Sequence, residues 1–181
     1  PNDVDANADE YRSVSGDTLY ARADVLEAVG VKAEEVRTID DLVNLLETIR
    51  DSGLTDWNGA AIIPLGTGHD GWRNANIYNW LRGNNISNWR RLEDGAVTYY
   101  LFTDYVENRI NLMRRLLSEG LMDVECLTQT DEVAQAKVLQ GSYGVISVDA
   151  NAVTNVFYYD NGIVNSHPEA RWVPLGLTNL D

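Results

Sequence analysis

Residues 129–151 read QTDEVAQAKVLQGSYGVISVDAN, and this stretch decides the fold class. Thr130 or Asp131 opens a run of good helix formers that continues to Leu139, since an oxygen at that place can accept from the unpaired amides of a first turn. After Gly141 the composition changes. Residues 145–148, VISV, are apolar and β-branched apart from Ser147 but too few for a helix, so they read as a buried strand. A helix that hands over directly to a buried strand is the repeating unit of an α/β domain.

The same alternation extends outward in both directions. Upstream, residues 103–119 form an amphipathic helix with Val106, Ile110, Met113, Leu116 and Leu117 on its inward face, closed by Gly120. Residues 38–53, TIDDLVNLLETIRDSG, give the clearest helix: Thr38 is the N-cap, Asp41 stands three residues on, and Ile39, Leu42, Val43, Leu46 and Ile49 make one stripe. AAIIPLG at 60–66 reads as a buried strand that runs into GTGHDG, with a helix expected over 71–81. DTLYA at 17–21 is a further strand, after which Asp24 caps a short helix ending at Gly30. Residues 92–100 suggest a hairpin around Glu93, Asp94 and Gly95. A helix over 151–159 and a strand over 172–175 complete the pattern. The expectation is one α/β unit, with helices packed on a central mixed sheet.

Composition narrows the function. The 181 residues can bury one substantial core, and 44% hydrophobic with 23% charged residues is ordinary for a folded domain. Twenty-eight acidic against fourteen basic residues leave a net charge of -14, which repels nucleic-acid phosphates and anionic lipid. No nucleic acid is expected as partner. No apolar run approaches the ~20 residues of a membrane helix. The single cysteine, Cys126, cannot form an intrachain disulfide, and the acidic neighbours Asp123 and Glu125 disfavour a reactive thiolate. Two separated histidines, His69 and His167, have no metal-site spacing. Asp3, Asp5 and Asn7 are similar to the first half of a calcium loop, but the glycine and the final bidentate glutamate of such a loop are missing. Neither a metal nor a cofactor is expected.

The order of four segments resembles the extracellular solute-binding proteins of ABC transporters, the group that includes maltose-binding protein and the sugar-binding lipoproteins of Gram-positive bacteria. LYARADVLEAVGV at 19–31 is similar to a strand and helix of that family, and TIDDLVNLLETIR to a helix entered through threonine. YVENRINLMRRLLSEGLMD at 105–123 resembles the family helix that ends in a glycine, an apolar pair and an aspartate. Residues 129–151 resemble its helix and strand leading into the cleft. The resemblance implies one lobe of a two-lobed binding protein, in which 1–16 lead in between the lobes, 17–175 form the lobe and 176–181 begin the return. It implies an extracellular lipoprotein or periplasmic protein, monomeric, that hands a small polar ligand, an oligosaccharide above all, to the membrane permease of an ABC importer.

In open α/β sheets ligands gather at the carboxyl ends of strands. Two places meet that description: Asp70 and Trp72 after the strand at 60–66, and Asp149 and Asn151 after the strand at 145–148. Sugars need paired donors and acceptors for hydroxyls and a flat ring for their C–H faces, which carboxylate, amide and indole supply. The resemblance also puts an aromatic stacking residue after the first strand, where Trp72 is the nearest match. Each residue has a plainer reading. Trp72, like Trp80, Trp89 and Trp172, can be a packing residue, and Asp149 can cap the helix that follows. No nucleophile motif, P-loop, zinc-protease motif or dinucleotide fingerprint occurs, so no enzymatic activity is expected. The alternatives are a carbohydrate-active enzyme fragment with Asp70 and Asp149 as its carboxylates, and a protein-interaction module.

Overall fold

A computed structural model of the chain describes residues 17–67, 89–91, 95–99, 102, 104–126, 128–149 and 165–176. Its elements are β1 (Asp17–Arg22), α1 (Ala23–Val29), a 3-10 turn (Ala33–Glu35), α2 (Ile39–Asp51), β2 (Ile63–Thr67), β3 (Trp89–Arg91), β4 (Val97–Tyr99), α3 (Asp104–Ser118), α4 (Asp131–Leu139), β5 (Tyr143–Asp149) and β6 (Trp172–Pro174). Four strands form one mixed sheet in the order β2-β5-β1-β6. β2 runs parallel to β5, and β1 runs antiparallel to both of its neighbours. The expected α/β architecture with a central mixed sheet is therefore present. β3 and β4 form the expected hairpin as a separate two-stranded sheet, with its first strand earlier in the chain than the expected 92–100.

The helices form where local chemistry favours them. At α2 the Thr38 hydroxyl accepts from the Asp41 amide at 3.1 Å, and the Asp41 carboxylate accepts from the Thr38 amide at 2.9 Å, so two otherwise unpaired donors are satisfied reciprocally. Leu42, Val43, Leu45, Leu46 and Ile49 are all buried on its inner face. α1 differs from expectation. Arg22 occupies the N-cap position, and Asp24 makes no cap bond there. Its carboxylate instead receives two hydrogen bonds from the Arg22 guanidinium, at 3.1 and 2.6 Å. Gly30, with φ 71°, takes the left-handed conformation that ends the helix.

Two buried clusters lie on either side of the sheet. The larger joins Leu19, Ala21, Leu65 and Val145 to α1, α2 and the end of α3; the smaller joins Ile146, Trp172 and Ala170 to Val138 of α4. β1 alternates between them, since Leu19 and Ala21 belong to the first while Tyr20 packs against the second. Trp172 is thus a core tryptophan. The outer edge of β2 is extended by residues 121–123, which bridge in parallel through Met122 and Leu65.

Two expectations are corrected. The strand expected from Ala60 begins only at Ile63, because Ala61 pairs antiparallel with Thr55 across a turn held by Asp56. Ile110, expected to face the sheet, is 51% exposed. Among the described residues, α3 reaches the core through Leu112, Met113, Leu116 and Leu117 of its last turns.

Candidate functional site

The topology selects one edge of the sheet. β2 and β5 are parallel neighbours with Thr67 in register with Ser147, so both strands leave the sheet on the same side and about 5 Å apart. The bridge at Met122 is parallel too, so the run 121–123 points toward the same edge. β1 enters the sheet there, with Asp17 directly opposite Asp149 in the antiparallel ladder. Four chain segments thus begin or end on one side of the sheet. Arg22, at the other end of β1, lies at the far edge.

Asp149 is the final residue of β5, at this carboxyl edge. Asp70, Trp72 and Asn151 lie outside the described residues, as do the helices expected over 71–81 and 151–159 and the lead-in with Asp3, Asp5 and Asn7. Thr67 closes β2 three residues before Asp70.

Behind this edge stands a polar cluster that was partly legible in the sequence. The Asp123 carboxylate is buried and accepts from the Lys137 ammonium at 2.7 Å, from the Glu125 amide at 3.0 Å and from the Tyr143 hydroxyl. Lys137 also binds Glu125 at 2.7 Å, and Gln129 donates to the Tyr143 hydroxyl at 3.3 Å. Burial pushes the Asp123 pKa up, but the Lys137, Tyr143 and Glu125 donors outweigh it and hold the carboxyl below its usual range. Burial and then the Asp123 carboxylate raise Tyr143. Cys126, beside them, is pushed up to about 11 by burial and by Asp123, so it stays a thiol, as its acidic neighbours in the sequence suggest. Asp123 is the aspartate that closes the GLMD motif. Nothing in the sequence indicates that Tyr143 and Lys137 converge on it.

The Tyr143 ring covers Gly66, the penultimate residue of β2. It lies so close that a Cβ at Gly66 would fall among the ring carbons. Asp123 holds the same strand from its edge: its amide donates to the Leu65 carbonyl at 2.9 Å, while the Leu65 amide donates to the Leu121 carbonyl at 3.0 Å.

A second aromatic cluster joins the turn at 55–61 to the segment before β6. His167 stacks flat on Trp57 at 3.8 Å between ring centroids, and the Arg22 guanidinium lies 5.1 Å from the Trp57 ring. These residues close the far edge of the sheet. Among the described residues no three His, Cys, Asp or Glu side chains are grouped to hold a metal ion, and no helix is long and apolar enough to cross a membrane.

No protein-family model matches the sequence, and no curated protein does. Solved structures do match. The Streptococcus pneumoniae ABC-transporter substrate-binding protein FusA, in complex with kestose, is 25% identical with a TM-score of 0.56, over 78% of this chain and 29% of its own. An EF-hand mutant of FusA in complex with fructo-nystose is 24% identical, with a TM-score of 0.57 and the same coverage. The alginate-binding protein AlgQ2, in a structure without calcium ion, is 18% identical with a TM-score of 0.62, over 88% of this chain and 32% of its own. A Bacillus licheniformis sugar transporter protein in complex with stachyose is 14% identical with a TM-score of 0.60, over 92% and 41%. The chain has the fold of the sugar-binding solute-binding proteins of ABC transporters, and it spans between 29% and 41% of the length of these structures.

Proposed function

We propose that the chain is a ligand-binding lobe of a secreted solute-binding protein that delivers a carbohydrate to an ABC importer. The observation that carries this reading is the parallel pair β2 and β5, whose carboxyl ends leave the central sheet side by side. That is where α/β sheets receive ligands. In this reading Asp70 and Trp72 from the loop after β2 meet Asp149 and Asn151 from the exit of β5. The carboxylates and the amide take sugar hydroxyls and the indole stacks on the ring face. The lobe comprises residues 17–175, with 1–16 and 176–181 running to a second lobe that closes over the sugar. The whole protein is an extracellular or periplasmic monomer, lipid-anchored in the former case, and its membrane partner is a permease. It has no enzymatic activity, a reading supported by its likeness to the substrate-binding protein FusA in complex with kestose and to the Bacillus licheniformis sugar transporter protein in complex with stachyose.

Calorimetric titration of the full-length protein with kestose and stachyose tests the site. Trp72→Ala is expected to weaken binding by about 1 to 3 kcal/mol with little change in melting temperature, as for an exposed stacking residue. Unchanged affinity with a large fall in melting temperature would return Trp72 to the core and remove the site.

A further inference from the structure

We propose that Tyr143 and Asp123 are positioning residues for ligand binding, a clamp that sets the direction in which the chain leaves β2 toward the loop bearing Asp70 and Trp72. The proposal rests on the carboxyl edge being the ligand surface.

The clamp acts on the last residues of β2 from two sides. From the face, the Tyr143 ring occupies the space a side chain at Gly66 would fill, so the strand can approach β5 only with glycine there. From the edge, Asp123 and Leu121 hydrogen-bond both backbone groups of Leu65. The two halves are joined by the hydrogen bond from the Tyr143 hydroxyl to the Asp123 carboxylate. That carboxylate is fixed in turn by Lys137 of α4 and by the Glu125 amide.

Stability alone is a poor account of this arrangement. A buried ion pair contributes little net stability compared with an apolar replacement, whereas a geometric role is well matched to it. The cluster also sits where geometry matters most. One residue, Thr67, separates Gly66 from the loop, and a tilt of Gly66 would carry through to everything after it.

The test uses the full-length protein, titrated calorimetrically with kestose and stachyose. Tyr143→Phe removes a single oxygen and leaves the ring on Gly66, so it should fold. It is expected to weaken binding by about three- to thirtyfold, the range through which residues without ligand contact modulate affinity. Asp123→Asn, which keeps an acceptor for the Tyr143 hydroxyl, should bind more tightly than Asp123→Ala. Val25→Ala, in α1 and buried in the larger cluster, serves as a control of comparable lost stability and should bind as the parent does. Amide exchange at Leu65 and Gly66 gives a readout that needs no sugar, and it should quicken in Tyr143→Phe but not in Val25→Ala. Parental affinity and parental exchange in Tyr143→Phe would overturn the clamp. Equal weakening in Val25→Ala would also overturn it. The Trp72→Ala titration is separate: unchanged affinity there removes Trp72 from the site, and quickened exchange in Tyr143→Phe would still sustain the clamp on β2.

Discussion

The Ser142 hydroxyl donates to Asp56 Oδ2 at 3.0 Å, which ties the turn before β2 to the residue before β5. The other oxygen of Asp56 accepts from the amides of Asn58 and Ala60, each at 2.9 Å. One buried carboxylate thus holds the amino ends of two parallel strands at the same level. Asp56→Ala leaves three donors without their acceptor and is expected to cost about 2 to 3 kcal/mol of stability. Urea denaturation checks this, and a loss below about 0.5 kcal/mol would mean that water replaces the carboxylate at no cost.

Acid should act through the same kind of group. At Asp56 burial raises the pKa, but the Ala60, Ser142 and Asn58 donors prevail and lower it below the ordinary 3.8; Asp123 is lowered in the same sense. A depressed native pKa contributes stability that is complete above the unfolded value and lost as pH falls through the native one. The stability difference between the parent and Asp56→Asn should therefore be largest near neutral pH and shrink below about pH 4. Denaturation curves at several pH values decide it, and a pH-independent difference would contradict the linkage.

Leu116 and Ile110 separate the two halves of α3. Leu116 is fully buried and Ile110 is half exposed. Leu116→Ala should cost about 2 to 5 kcal/mol, whereas Ile110→Ala should stay within about 0.5 kcal/mol. Comparable losses would put Ile110 back in the core.

Ser147 lies on β5, a central strand, and among the described residues its buried hydroxyl has no hydrogen-bond partner. Removing a buried unsatisfied oxygen relieves about 1 to 3 kcal/mol of desolvation, so Ser147→Ala should hold or raise the melting temperature. A clear fall in calorimetry would show that the hydroxyl has a partner in solution.

Cys126 should resist thiol reagents at pH 8 in the folded protein, because it is buried and its pKa is pushed up to about 11. Ellman's reagent should react at the rate of global unfolding. Rapid labelling under native conditions would show that the segment around Asp123 opens by itself.

Local elements were the legible part of this protein. Thr38 and Asp41 cap α2 as their spacing predicts, because both partners of the reciprocal bond lie within one helical turn. β5, Trp172 and the α/β alternation follow from short-range patterns of apolar residues and glycine. Patterns of this kind also predict an inward stripe over the whole of α3. They miss the exposure of Ile110, since a helical period says which residues share a face but not how far along the helix that face stays covered.

By itself the sequence determined the α/β class, the negative charge, the boundaries of α2 and α4 and the order of segments on which the resemblance rests. Those properties depend on neighbours within a few residues. Only the tertiary structure decided that β2 lies beside β5 and that β1 runs against them, which brings Asp17 opposite Asp149. It alone joined Asp123, Lys137 and Tyr143 behind the end of β2, and Trp57 with Arg22 and His167 at the far edge. Tyr143 stands 77 residues from Gly66 in the chain (143 − 66), and no local periodicity carries information over such a separation. Strand order and register are set by the packing of both sheet faces at once, and they emerge only when the helices have found their places.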